Sequence, residues 1–231
     1  MLELDQATLR RLQLTELELL QEADRLDSDE VFRDLVREMP VGKVPVILIG
    51  GSFNNDRHLT RRRAGICDLL DQVLDLCDPS RMFFVLGHSL SGYEQYLAEK
   101  ARGRFELFAF VPSRMEAREA GRLKASGAGI RVSIEPSPMG VYKSFSYEIF
   151  KRRPSVLIAL DGNSSAANMI QEARNGKRKC HIFVCEKARV LREKALGLQG
   201  YAVLFGEGSD LAEQVRQAVD ICYPQRWLRT E

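Results

Sequence analysis

Three short stretches carry residue types suited to holding an anion. They are Gly50-Gly51-Ser52-Phe53-Asn54-Asn55, Gly87-His88-Ser89-Leu90-Ser91-Gly92-Tyr93-Glu94 and Asp161-Gly162-Asn163-Ser164-Ser165-Ala166-Ala167-Asn168. Each follows an apolar run and precedes a segment with helical spacing. Small residues let backbone N–H groups approach a phosphate, and the start of the following helix adds partial positive charge. One such turn is ordinary, because Gly, Ser and Asn serve turn geometry and capping. Three at strand ends point instead to a phosphate-bearing ligand. None fits G-x-x-x-x-G-K-[ST], which excludes a P-loop NTPase. The first also lacks G-x-G-x-x-G, which argues against ordinary NAD binding.

The elements that must position these turns are readable from Val44 onward. Apolar runs at Val46–Ile49, Met82–Leu86, Glu106–Val111, Ile130–Ile134, Val156–Leu160, His181–Val184 and Ala202–Phe205 predict seven strands. Helical periodicity over 58–77, 91–102, 113–126, 138–152, 164–175, 187–197 and 208–221 fills the gaps. Alternating strands and helices predict an α/β fold: a Rossmann-like, mostly parallel sheet of about seven strands with helices on both faces. Continuous apolar runs fit strands buried on both sides. In such a sheet ligands bind beyond the carboxyl ends of the strands, where strand order reverses. All three turns occupy such ends.

Residues 1–40 read differently, as a helical arm ahead of a nucleotide-binding domain over 41–231. Leu9, Leu12, Leu17, Leu20 and Ala23 recur at helical spacing, as do Val31, Leu35 and Met39. Eleven acids against five Arg give the arm −6, which leaves +8 on the rest. That asymmetry suits packing on the body or contact with a second subunit. A homo-oligomer is the expectation.

Across the whole 231-residue chain, 34 Lys+Arg stand against 32 Asp+Glu. Near-balance does not suggest a nucleic-acid binder by charge alone. No stretch of eighteen apolar residues occurs, so no membrane span is expected. The acidic N-terminus does not resemble a signal peptide. Five Cys (67, 77, 180, 185, 222) form no C-x-x-C pair, and the three His (58, 88, 181) lack zinc-ligand spacing. A reduced, cytoplasmic protein without metal or cofactor is expected.

Val46-Ile-Leu-Ile-Gly-Gly-Ser52, Phe84-Val-Leu-Gly-His-Ser-Leu-Ser-Gly92 and Val156-Leu-Ile-Ala-Leu-Asp-Gly-Asn-Ser-Ser165 together resemble the SLOG superfamily. That group joins the DNA-processing protein A proteins, the LOG cytokinin-activating phosphoribohydrolases and nucleotide-sensing domains of signalling and defence proteins. The resemblance spans residues 44–222 and implies a Rossmann-like nucleotide site. LOG enzymes carry an Arg-Lys pair ahead of a strand ending in P-G-G-x-G-T-x-x-E. Here Lys143 matches the Lys, and Tyr142 stands where the Arg would be. Asp161-Gly162-Asn163-Ser164-Ser165-Ala166 replaces P-G-G-x-G-T, and Asn168 or Met169 falls at the Glu.

These departures bear on chemistry. Cleaving an N-glycosidic bond needs a carboxylate to activate water and stabilisation of an oxocarbenium-like centre. Asn168 cannot act as that base, and a phenol at Tyr142 lacks the fixed charge of Arg. Binding is therefore favoured over hydrolysis. The expected ligand is a nucleotide or nucleotide sugar, such as an ADP-ribose-like molecule, with a sensor or regulatory role. A nucleotide N-glycosidase is the alternative, and a single-strand nucleic-acid binder the third reading. Glu94, Glu148 and Glu172 are the other carboxylates within range, each read as a solvated helix residue. His88 follows strand two and could donate to a ligand, while His181 reads as structural. The clusters Arg61-Arg62-Arg63, Lys151-Arg152-Arg153 and Lys177-Arg178-Lys179 lack interleaved aromatics and read as solvated helix ends.

Overall fold

The computed structural model describes residues 36–37, 39–50, 62–87, 91–112, 129–133, 141–162, 164–198 and 200–223. The chain divides into two compact units, Met1–Met39 and Pro40–Glu231. In the first, Val36 and Arg37 are helical. The stripe from Leu9 to Ala23 lies outside the described residues, as does the helix expected over 113–126.

The second unit alternates strand and helix. Its strands are β1 Val44–Ile49, β2 Met82–Leu86, β3 Leu107–Pro112, β4 Gly129–Ser133, β5 Ser155–Ala159, β6 Cys180–Cys185 and β7 Ala202–Phe205. Its helices are α1 Ala64–Leu76, α2 Gly92–Ala101, α3 Val141–Arg152, α4 Ser164–Asn175, α5 Arg189–Leu196 and α6 Leu211–Cys222. All strands pair in parallel, in the order β4-β3-β2-β1-β5-β6-β7. The chain winds outward from β1 to β4, then crosses back to β5 on the other side of β1. Strand order reverses between β1 and β5, the doubly wound, Rossmann-like arrangement. Helices α1, α2 and α6 pack together as one set, and α3, α4 and α5 as another.

The central strands follow from sequence. β1 (VPVILI), β2 (MFFVL) and β5 (SVLIA) are buried at every position, as strands covered on both faces require. Fully burying a Phe contributes about 1.5–3 kcal/mol. Phe83 and Phe84 are both fully buried and meet Phe108 and Phe105 edge-on, at centroid distances of 5.1 and 5.3 Å. Helix α1 buries Ile66, Leu69, Leu70, Val73 and Leu74, one stripe at helical spacing, and leaves its polar face to water. It ends at Cys77, whose extended backbone leads into Asp78-Pro79. No helix among the described residues is long and apolar enough to cross a membrane.

Candidate functional site at the strand-order reversal

The three turns singled out in the sequence follow β1, β2 and β5, which are neighbours in the sheet. They therefore flank the one place where strand order reverses, the position of the ligand crevice in open α/β sheets. Gly50, Gly87, Asp161 and Gly162 are the described residues at the strand ends. Gly51, Ser52, Phe53, Asn54, His88, Ser89 and Asn163 lie outside the described residues. Ser91 precedes α2, and Gly92 opens it with φ 57°, a left-handed conformation that glycine adopts without steric cost. Ser164 and Ser165 begin α4, and Tyr142 and Lys143 lie in the first turn of α3. Asn168 is exposed.

The centre of the arrangement is Glu94, in the first turn of α2. It is 1% exposed, so the expectation of a solvated residue does not hold. One carboxylate oxygen accepts the N–H of Gly50 at 3.2 Å and the other the N–H of Gly87 at 3.1 Å. A carboxylate close to a helix N-terminus is favoured by the helix dipole and satisfies backbone donors that lack partners. The adjacent Tyr93 N–H donates to the Gly50 carbonyl at 3.0 Å, so α2 holds both polar groups of Gly50. The Tyr93 hydroxyl accepts the N–H of Arg63 at 3.0 Å, which ties in the approach to α1. Both glycines are needed for this closeness. A Cβ on Gly87 would stand 2.7 Å from the Glu94 carboxylate, and one on Gly50 2.9 Å from the Tyr93 Cβ.

This corrects one part of the sequence reading. Gly50 and Gly87 were expected to offer N–H groups to a phosphate, but both donate to Glu94 instead. Glu94 is likewise a poor candidate for general base, being buried and already accepting two hydrogen bonds. The β5 side differs. Leu160 N–H donates to the Ile49 carbonyl at 2.7 Å, keeping β1 and β5 joined up to the crevice. Asp161 Oδ1 accepts the N–H of Gly162 at 2.8 Å. A Cβ on Gly162 would lie 2.4 Å from the Ala166 Cβ, so the turn packs directly on the start of α4. That start carries no acid in its first turn, in contrast to α2 with Glu94.

Sequence reasoning named Glu94 among ligand-binding positions but missed the adjoining Tyr93–Arg63 contact, and missed Ala166 beneath Gly162. The legible signal was an acid two residues after a helix-opening glycine. Glu148 is also buried, at 4% exposure, and accepts from Lys151 Nζ at 2.6 Å and Arg152 Nε at 2.9 Å. Burial pushes its carboxyl up, but the two cationic donors outweigh this and hold it below the usual range. Glu172 is half-buried beside Tyr147, whose phenol is pushed up to about 12 by burial and by that charge. All five Cys are free, and burial raises the thiols of Cys77 and Cys222 to about 11, which makes both poor nucleophiles. Among the described residues no group of three His, Cys, Asp or Glu could hold a metal ion. A cleft of about 110 Å³ lies at the opposite edge of the sheet, between Leu76, Arg81, Arg216 and Val219. It is well below the roughly 300 Å³ that small-molecule sites begin at.

His181 sits in β6 with its Nε2 buried and without a hydrogen-bond partner. Burial, then the Lys179 charge, hold its pKa below the ordinary 6.5. The unfolded chain therefore takes up the proton first. Stability is complete above about pH 6.5 and declines as pH falls from there toward the folded value. Urea unfolding at pH 7 and pH 5 should show a larger stability loss for the native protein than for His181→Phe. Equal losses would refute this.

No protein-family model matches this chain, and no curated protein matches it in sequence.

Proposed function

We propose that this chain is a nucleotide or nucleotide-sugar binding protein of SLOG type, acting as a sensor or regulatory component. The observation that carries the reading is the convergence of three small-residue turns on β2, β1 and β5, at the reversal of strand order. The Glu94 clamp supports it by fixing the first two strand ends as a rigid wall. The turn at Gly162 and the start of α4, which has no internal acid, are where a phosphate is best served. The β1 and β2 side, with its amides already on Glu94, suits the sugar or base.

Binding without LOG-type hydrolysis follows from Tyr142 and Asn168 or Met169 at the positions of the family's Arg and Glu, and from the burial of Glu94. The test is a thermal melt with nucleoside mono- and diphosphates and ADP-ribose, alongside chromatography for released base. The expected result is a ligand-dependent rise in Tm with no base above background. No shift with any member of the panel would overturn the reading. Robust base release would favour the N-glycosidase alternative.

A further inference from the structure

Two basic triplets separated in sequence come together at the amino-terminal edge of the sheet, opposite the crevice. Lys151-Arg152-Arg153 runs from the end of α3 toward β5, and Lys177-Arg178-Lys179 from beyond α4 into β6. Backbone hydrogen bonds join them: Arg178 N–H to the Phe150 carbonyl at 3.1 Å, and Ser155 N–H to the Lys179 carbonyl at 3.0 Å. Gly176 permits the approach, since a Cβ there would stand 2.7 Å from the Phe150 carbonyl oxygen. The two rows then continue as paired strands, Ser155 opposite Cys180, about 5 Å apart.

Among the described residues, the charge on this surface is only partly compensated. Lys177, Arg178 and Lys179 are exposed and enter no described ion pair, and Lys151 and Arg152 share the single buried carboxylate of Glu148. Elsewhere along the same edge, cations are matched with acids: Lys43 with Glu106, Arg81 with Asp220 and Arg104 with Asp75. The exposed apolar side chains Leu76 and Leu196 belong to neither triplet, and the exposed ring of Tyr201, ahead of β7 on this same edge, is packed against Arg174 at 4.6 Å. A protein partner would be anchored by apolar side chains that pack into pockets, and base stacking would require aromatic rings. A polymer of phosphates requires only the cations.

We infer that this edge binds the phosphate backbone of duplex nucleic acid without reading its sequence. The inference is independent of the nucleotide site on the opposite edge. It goes beyond the reading of these triplets as solvated helix ends, which their exposure fits.

The test is fluorescence anisotropy of the full chain with two duplexes of unrelated sequence and equal length, over a salt series. Both should bind alike, with log K falling against log salt at a slope of about −4.5, the value for five cations on phosphates. The variant K177Q/R178Q/K179Q should cut that slope to about −2 and weaken low-salt binding at least about tenfold. Its Tm should match the unsubstituted protein. Should it melt early, Lys177→Gln and Arg178→Gln singly should each reduce the slope by about 1. Lys187→Gln, at the carboxyl edge, should leave binding unchanged. No duplex binding, an unchanged slope in the variants, or tighter binding to polyglutamate than to duplex would overturn the inference.

Discussion

Glu94→Ala is expected to lower stability by about 4 kcal/mol and to abolish nucleotide binding. The substitution removes the acceptor for both the Gly50 and Gly87 amides. Each buried donor left without a partner costs about 1–3 kcal/mol, and the missing side chain leaves a cavity beside two strand ends. Glu94→Gln keeps one oxygen but turns an amide NH2 toward the second N–H, so it should recover about half of the loss. Urea unfolding measures the stability. Amide exchange at Gly50 and Gly87 measures the clamp itself and requires no ligand. Exchange should accelerate at both glycines in the alanine variant. A loss below about 1 kcal/mol, far less than two orphaned donors imply, with unchanged exchange, would show that Glu94 does not hold these loops.

Gly162→Ala is expected to destabilise by about 2 kcal/mol while also weakening any ligand at the β5 turn. The new Cβ would lie 2.4 Å from that of Ala166 and 3.5 Å from a methyl of Ile49. Loss of binding at this position therefore does not report on the ligand alone. A second substitution separates the two effects. Ala166→Gly removes the colliding methyl, at a cost of about 1 kcal/mol for glycine in a helix. The double variant should be more stable than the sum of the single changes predicts, by at least about 1 kcal/mol. Strict additivity would mean that the turn relaxes by another route.

The strands were legible because those near the middle of the sheet are buried on both faces and so read as unbroken apolar runs. Val46–Ile49 and Met82–Leu86 were placed within two residues of the observed strands for that reason. The Gly-rich turns were legible because their composition departs from everything around them. Which strands would stand side by side was not, because pairing is a property of the whole chain. The role of Glu94 was hidden by its chemistry. An isolated acid in a polar helix start looks solvated, and only the approach of two other strand ends makes it a buried acceptor. Glu148 was hidden in the same way, although Lys151 and Arg152, three and four residues on, are the partners that helical spacing supplies. The joined basic triplets show the reverse. Each precedes one of two consecutive strands, so a parallel β5–β6 pair was enough to bring them together.

The pairing of β1 with β5 has a consequence for how the protein assembles. Every other pair in the sheet joins strands that follow each other in the chain, whereas Val46 meets Val156 across everything between them. Loop-closure entropy rises with the length of chain enclosed, and such long-range pairings slow folding. The sheet is thus two locally wound halves with one distant seam. The proposed nucleotide site lies at the carboxyl end of that seam, so it is complete only once the halves have met. A ligand gripping both sides would act as a clasp on this join, stabilising the joined halves over the separated ones by RT ln(1 + [L]/Kd).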